Sequence, residues 1–172
     1  MKSFDQSFFN RPVLDVCEGL IGQYMVKDDQ KLLITEIEAY DGPKDLACHA
    51  SKGRTKRTEV LFGPPGRFYV YLCYGIHWLL NVVTGPENYP AAILIRGVGD
   101  ISGPGRLTKQ LGINANYNTK PATPKTGLYF APAAASLPTH QQHKILKTPR
   151  IGIDYAGPIW SQKPYRFVLN SS

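Results

Sequence analysis

Val13, Val16, Cys17 and Leu20 stand at i, i+3, i+4 and i+7, an apolar stripe that stops at Gly22. That spacing puts all four on one side of a helix, and it predicts a short one with Asn10 as its cap and Pro12 in its first turn. The pattern then turns to strands. YMVKDDQKLLITEIEAY, Tyr24 to Tyr40, reads as two strands joined through Asp28 and Asp29. FYVYLCYGIHWLLNVV is two β-rich halves meeting at Tyr74-Gly75, the pattern of a hairpin. AAILIRG is a further apolar strand, and SGPGRLTKQLGI, with Pro near its start and Gly112 at its end, is a short helix. TPRIGIDYAG and PYRFVLN predict two closing strands. Between them, residues 114 to 143 turn Pro-, Ala- and Thr-rich and predict a long surface connection, with one strand at Gly127–Phe130. Helices and strands are intermixed without βαβ alternation, so the fold class is α+β. A length of 172 residues and no internal boundary predict a single domain.

Composition adds little to this. A hydrophobic share of 42% and a charged share of 19% are those of a folded chain. The net charge of +7 fits either a polyanionic partner or simple solubility. Three scattered cysteines, without a CxxC pair, suggest neither a disulfide framework nor a zinc knuckle and point to a reducing cytosol. The N-terminus lacks an apolar core segment, so neither a signal peptide nor a membrane span is expected.

Charge placement is more informative. Glu36, Glu38, Asp41 and Asp45, four of the 13 acids, fall within ten residues in ITEIEAYDGPKDLACH. On an extended strand Glu36, Glu38 and Tyr40 share one face, which can set a carboxylate against a flat ligand; solvated acids on an edge strand are the plainer explanation. In the hairpin, Tyr69 and Tyr71 share one face and Phe68, Val70, Leu72 and Tyr74 the other. Tyr74 sits at the expected turn, where burial is hardest; on a basic protein it suggests a wedge between bases, against a tyrosine folded back on its own hairpin.

EIEAYDGPKDLACHASKGRTKR, LFGPPGRFYVYLCYGIHWLLNVV, AAILIRG, GPGRLTKQLGI and PRIGIDYAG…KPYRF occur in this order. Together they resemble the alkyladenine (3-methyladenine) DNA glycosylase family, of the monofunctional type in mammals and bacteria. The likeness runs from about the first helix to nearly the C-terminus. It implies a curved antiparallel sheet flanked by short helices, with a protruding hairpin. It also implies a monomeric enzyme that flips an alkylated or deaminated purine from duplex DNA and hydrolyses its N-glycosidic bond. No cofactor or metal is expected, and no membrane; the setting would be the cytoplasm, at the nucleoid in a bacterium. With no Lys at the Glu38 position to form a Schiff base, lyase activity is not expected.

The resemblance also implies residue roles. Glu38 matches the general base that activates water, and Arg96 the arginine beside that water. Tyr40, His49 and Tyr71 match the residues that sandwich the extruded base, and Asn81 the one that crowds out guanine's exocyclic amino group. Tyr74 matches the wedge. Arg54, Arg57 and Lys109, and the helix start near Gly103–Gly105, are candidate phosphate contacts. Asp41 and Asp45 are expected to shape the turn and loop that place His49, and Glu36 to be structural. The chain departs from the family pattern at Thr58, where the family has Asn, at Lys56, where it has Pro, and in IRGVGD after Arg96, at Gly97–Asp100. Two rival readings stand beside this one. The first is a catalytically weak protein that binds damaged DNA. The second is a metal-dependent hydrolase using His49, His77, His140 and His143 with nearby acids.

Overall fold

A computed structural model describes residues 2–133 and 144–170. The chain opens with α1 (Gln6–Phe9), whose first turn is capped by the Asp5 side chain accepting from the Phe8 amide. Asn10 ends this helix rather than starting the next, because its own N–H is already given to the Gln6 carbonyl. The expected cap is therefore not there. The second helix, α2 (Val13–Leu20), starts directly after Pro12 and buries Val13, Val16, Cys17 and Leu20, the four residues of the stripe.

β1 (Tyr24–Lys27) and β2 (Gln30–Asp41) form the first hairpin, turning at Asp28-Asp29 with Asp28 at a φ of 54°. β3 (Phe68–Cys73) and β4 (His77–Thr84) form the second; β5 (Ala91–Val98) pairs with β4, with β2 and with the short β6 (Ile101–Ser102). After α3 (Pro104–Leu111) comes β7 (Leu128–Ala131), then β8 (Lys144–Thr148), α4 (Gly157–Trp160) and β9 (Arg166–Asn170). Every pairing is antiparallel, in one nine-stranded, unclosed sheet with the main order β3-β4-β5-β2-β1-β7. The α+β class holds.

β2 organises the molecule. Its first residues pair with β1, while its second half lies between β5 and β9. The ladder to β5 slips twice, between Ile34 and Glu36 and between Glu36 and Ile37, which leaves Arg96 without a direct partner on β2. Such bulges bend a strand and re-aim side chains. α1, α2 and α3 pack on the main core, where Phe9, Phe68, Phe130 and Phe167 are fully buried with Val82, Ile93 and Ile95.

Two segments differ from the sequence pattern. Of the surface connection expected over residues 114–143, the described part carries the strand expected at Gly127–Phe130, found as β7, but ties it into the main sheet with Phe130 in the core, because its period-two apolar positions find β1 as a partner. The strand expected within TPRIGIDYAG is displaced to Lys144–Thr148. Pro149, which has no N–H to give a ladder, ends it, and Arg150 then turns inward to a buried carboxylate. The His140 and His143 of the metal reading lie outside the described residues.

Candidate active site

Glu38 lies in the half of β2 that is flanked on both sides, and its side chain has no solvent-exposed surface. A buried carboxylate needs donors, and three approach it. The Tyr40 hydroxyl donates to Oε1 at 2.9 Å, the Ile151 amide donates to Oε2 at 2.8 Å, and Arg96 Nη1 is 3.7 Å from Oε1. Burial, with the charge of Glu38 next in importance, raises the Tyr40 phenol well above its ordinary pKa, so it stays protonated and donates.

Arg96 is aimed by a second acid. Its Nε donates to Glu36 Oε1 at 2.9 Å, and the same oxygen accepts from Arg166 Nε at 2.7 Å. Glu36, Glu38 and Tyr40 thus share one face, as period two requires, and Glu36 is structural as expected, holding both Arg96 and Arg166 of β9.

Beside this cluster the Tyr69/Tyr71 face of β3 meets the loop after β2. Tyr40, His49, Tyr69, Tyr71, Asn81 and Tyr155 line a single recess. The rings of His49 and Tyr71 lie 4.5 Å apart at 62°, and His49 Nδ1 shares a 2.8 Å hydrogen bond with the Tyr69 hydroxyl. Burial first, then the cations Arg57 and Lys52, brings the His49 pKa down to about 4, so the ring is neutral at physiological pH. Asn81, opposite Tyr69 on β4, is pinned at the floor by donating Nδ2 to the Tyr69 carbonyl at 3.1 Å. The expected set Tyr40, His49, Tyr71 and Asn81 is therefore brought together. So is Glu38, which sits beneath Tyr40 rather than in the recess wall.

The loop carrying His49 is held from inside. Asp45 is fully buried and accepts from the Asp41 and Ala47 amides at 2.9 and 3.0 Å, while Asp41 accepts from the Tyr89 hydroxyl. Asp41 and Asp45 shape this loop as expected. Further along, Thr58 accepts from the Thr55 amide at 2.8 Å and donates to the Gly53 carbonyl at 3.1 Å, and Lys56 is exposed. A short hydroxyl thus pins this loop from inside at the position where the family pattern has Asn.

An open groove runs from the recess past Arg96 to the tip of the second hairpin, bounded also by Gly103–Arg106 at the start of α3. Tyr74 forms the tip, 93% exposed and with a φ of 51°, and Leu72 and Ile76 beside it are exposed as well. A bulky residue in the left-handed region, projecting an unburied ring, is costly to stability. The hairpin rests on α3 close to its tip: a Cβ on Gly105 would stand 2.8 Å from His77 Cγ, so only glycine permits this approach.

The three basic candidates differ. Arg57 is exposed with its guanidinium 5.2 Å from the Tyr71 ring centre, and Lys109 is exposed on α3. Arg54 is engaged locally, donating to Asn88 Oδ1 at 2.7 Å, lying 3.7 Å from Glu59 and stacking on Phe62. Sequence reasoning assigned no role to Tyr155, Arg150 or the Ile151 amide. The only signal was that all three fall in the block PRIGIDYAG. Among the described residues no three His, Cys, Asp or Glu side chains group as metal ligands, and no helix is long and apolar enough to cross a membrane.

These features define an α+β protein with an aromatic recess set beside a buried carboxylate–arginine cluster. Residues 7–102 and 98–172 match the family model of methylpurine-DNA glycosylase. A Myxococcus xanthus protein named "Putative 3-methyladenine DNA glycosylase" is 41% identical over 186 residues, spanning 100% of this chain and 92% of its own. A Nitrosococcus oceani protein of the same name is 38% identical over 184 residues, 94% of this chain and 87% of its own. The DNA-3-methyladenine glycosylase of Arabidopsis thaliana is 35% identical over 189 residues, 98% of this chain and 72% of its own. The chain belongs to the methylpurine-DNA glycosylase family.

Proposed function

We propose that this protein is a monofunctional base-excision-repair glycosylase. It flips an alkylated or deaminated purine out of duplex DNA and hydrolyses its N-glycosidic bond. The observation that carries the reading is the adjacency of Glu38 to the aromatic recess: Tyr40 lines the recess and donates directly to the carboxylate. A purine stacked there places its sugar over Tyr40, within reach of Glu38 and Arg96.

Each part has a task. Tyr74 fills the gap in the stack, offsetting part of the cost of unpairing, which is least for a damaged or mispaired base. Tyr40, His49 and Tyr71 hold the base by stacking, a contact tolerant of several purines, and their electron-rich rings favour a cationic alkylated one. Neutral His49 adds no repelling charge. Glu38 takes a proton from water attacking C1′ and faces the positive charge that develops on the sugar. Ile151 holds Oε2 and Tyr40 donates to Oε1, so the water takes the remaining acceptor position of Oε1, on the side facing Arg96. Alkylation at a ring nitrogen makes the base a better leaving group. No lysine occupies the Glu38 position, so the product is an intact abasic site. The protein acts as a monomer and without a cofactor.

The test is base release from a duplex oligonucleotide carrying one hypoxanthine or ethenoadenine, with a chelator present. Wild type should release the base, and Glu38→Gln should bind the same DNA without releasing it. Loss of wild-type activity to the chelator would overturn the metal-free mechanism. Binding without release on these and on methylated purines would leave a damaged-DNA-binding protein instead.

A further inference from the structure

The proposed chemistry leaves one buried ion pair unused. Asp45 and Arg150, 105 residues apart, have fully buried side chains and bond twice, Nη1 to Oδ2 at 2.6 Å and Nη2 to Oδ1 at 3.0 Å. A buried pair is weak evidence of stabilisation, because losing water costs each charge about what the pairing returns. What this pair touches is more telling.

Three segments of the site meet at it: β2, the turn leading to His49, and the loop after β8. Arg150 Nη1 donates to the carbonyl of Ala39, the residue between Glu38 and Tyr40. Its guanidinium lies 4.9 Å from the Tyr40 ring centre and 5.2 Å from that of Tyr165, and Nη2 also reaches the Trp160 carbonyl at 3.3 Å. Asp45 takes the Asp41 and Ala47 amides, at either end of the turn leading to His49. The residue after Arg150 is Ile151, whose amide holds Glu38 Oε2, and the same loop carries Tyr155 to the recess mouth.

We infer that Arg150 and Asp45 are positioning residues that lock the Glu38 carboxylate, the Tyr40 ring and the His49 loop into one geometry. Arg150 fixes the depth of the 149–153 segment, hence where the Ile151 amide meets Oε2. A displacement of about 1 Å at a reacting group costs about a hundredfold in rate. The pair touches neither the Tyr74 hairpin nor α3, so it acts on the base pocket and the chemical step and leaves affinity for undamaged duplex to other elements. The assignment rests on the glycosylase reading of the site.

The discriminating variant removes both charges. Asp45→Asn with Arg150→Gln keeps hydrogen-bonding groups and leaves no unpaired buried ion, the fault that makes single substitutions here unfold proteins. Three quantities are measured: melting temperature, affinity for an undamaged duplex, and the single-turnover rate of base release from a lesion duplex. The expected result is a folded protein with near-wild-type affinity and a release rate down by about 10- to 100-fold. Ile151→Pro deletes the amide at Glu38 and keeps both charges of the pair, constraining only the backbone of Arg150 before it, at a residue whose side chain is half exposed. It should show the same split and serves if the double variant does not fold. Wild-type release by a folded double variant, or by Ile151→Pro, overturns the inference. Equal falls in affinity and rate also overturn it, since they show a general structural role. Failure of wild type to release any base, or release undiminished in Glu38→Gln, would instead sink the glycosylase reading.

Discussion

Arg96 is held by Glu36 more closely than it approaches Glu38: its Nε donates to Glu36 Oε1 at 2.9 Å, while its Nη1 stays 3.7 Å from Glu38 Oε1. A charged hydrogen bond of the first kind orients a planar guanidinium, and the second distance leaves its outer end free for a water or a sugar oxygen. Glu36 should therefore act through Arg96. Glu36→Gln is expected to slow base release by about tenfold, with little change in affinity for lesion DNA. Single-turnover rates and binding on the same duplex check this.

Tyr74 should separate stability from function. At 93% exposure its ring contributes almost nothing to the core, and its φ of 51° is strained for any residue but glycine. Tyr74→Gly is expected to leave melting unchanged or to raise stability by up to about 1 kcal/mol. Release from a well-paired lesion should fall, and fall less when the lesion is in a mismatch, where unpairing is cheaper. Equal losses on both substrates would argue against the wedge.

His49 makes a pH prediction. Its folded pKa is lowered to about 4, first by burial and then by Arg57 and Lys52. Between the unfolded value near 6.5 and that folded value, only the unfolded chain takes up the proton. Stability should thus fall as pH drops from about 6.5 to 4 and be unaffected by this group above 6.5. His49→Asn should flatten that part of the melting-temperature profile, and NMR titration of the ring should find it neutral at pH 6.

Much of this site was legible in the sequence because its parts are local. Glu38 and Tyr40 are two residues apart on a strand, and Tyr74-Gly75 announces its own turn. What could not be read depends on contacts made across the fold. Arg150 reaches Asp45 over 105 residues and the Ile151 amide reaches Glu38 over 113. Neither has a periodicity to betray it, and IGID alternates well enough to suggest a strand that Pro149 and the pull of Asp45 forbid. The bulge that frees Arg96 depends equally on register between β2 and β5, which no single strand encodes.

Lys109 and Arg54 should differ in salt dependence. Lys109 is exposed on α3, whose first turn borders the groove, whereas Arg54 is occupied by Asn88, Glu59 and Phe62. Lys109→Ala should reduce the slope of log affinity against log salt by about one, as loss of one phosphate contact requires. Arg54→Ala should leave the slope unchanged. Titrations at several salt concentrations on one duplex decide both, and an altered slope for Arg54→Ala would restore it as a backbone contact.

Asn81 carries the last prediction, on selectivity. Its amide is fixed by donation to the Tyr69 carbonyl at 3.1 Å, so it cannot swing aside for a larger base edge. The residue is 5% exposed and sits between packed strands, so removing it leaves space at the recess floor. Asn81→Ser should admit a purine with an exocyclic amino group at that edge, raising release of 7-methylguanine relative to hypoxanthine. Leaving the Tyr69 carbonyl without its partner should lower stability by about 1–3 kcal/mol. A single comparison of both lesions with wild type and variant reads the ratio directly. An unchanged ratio would mean that Asn81 supports Tyr69 and does not select the base.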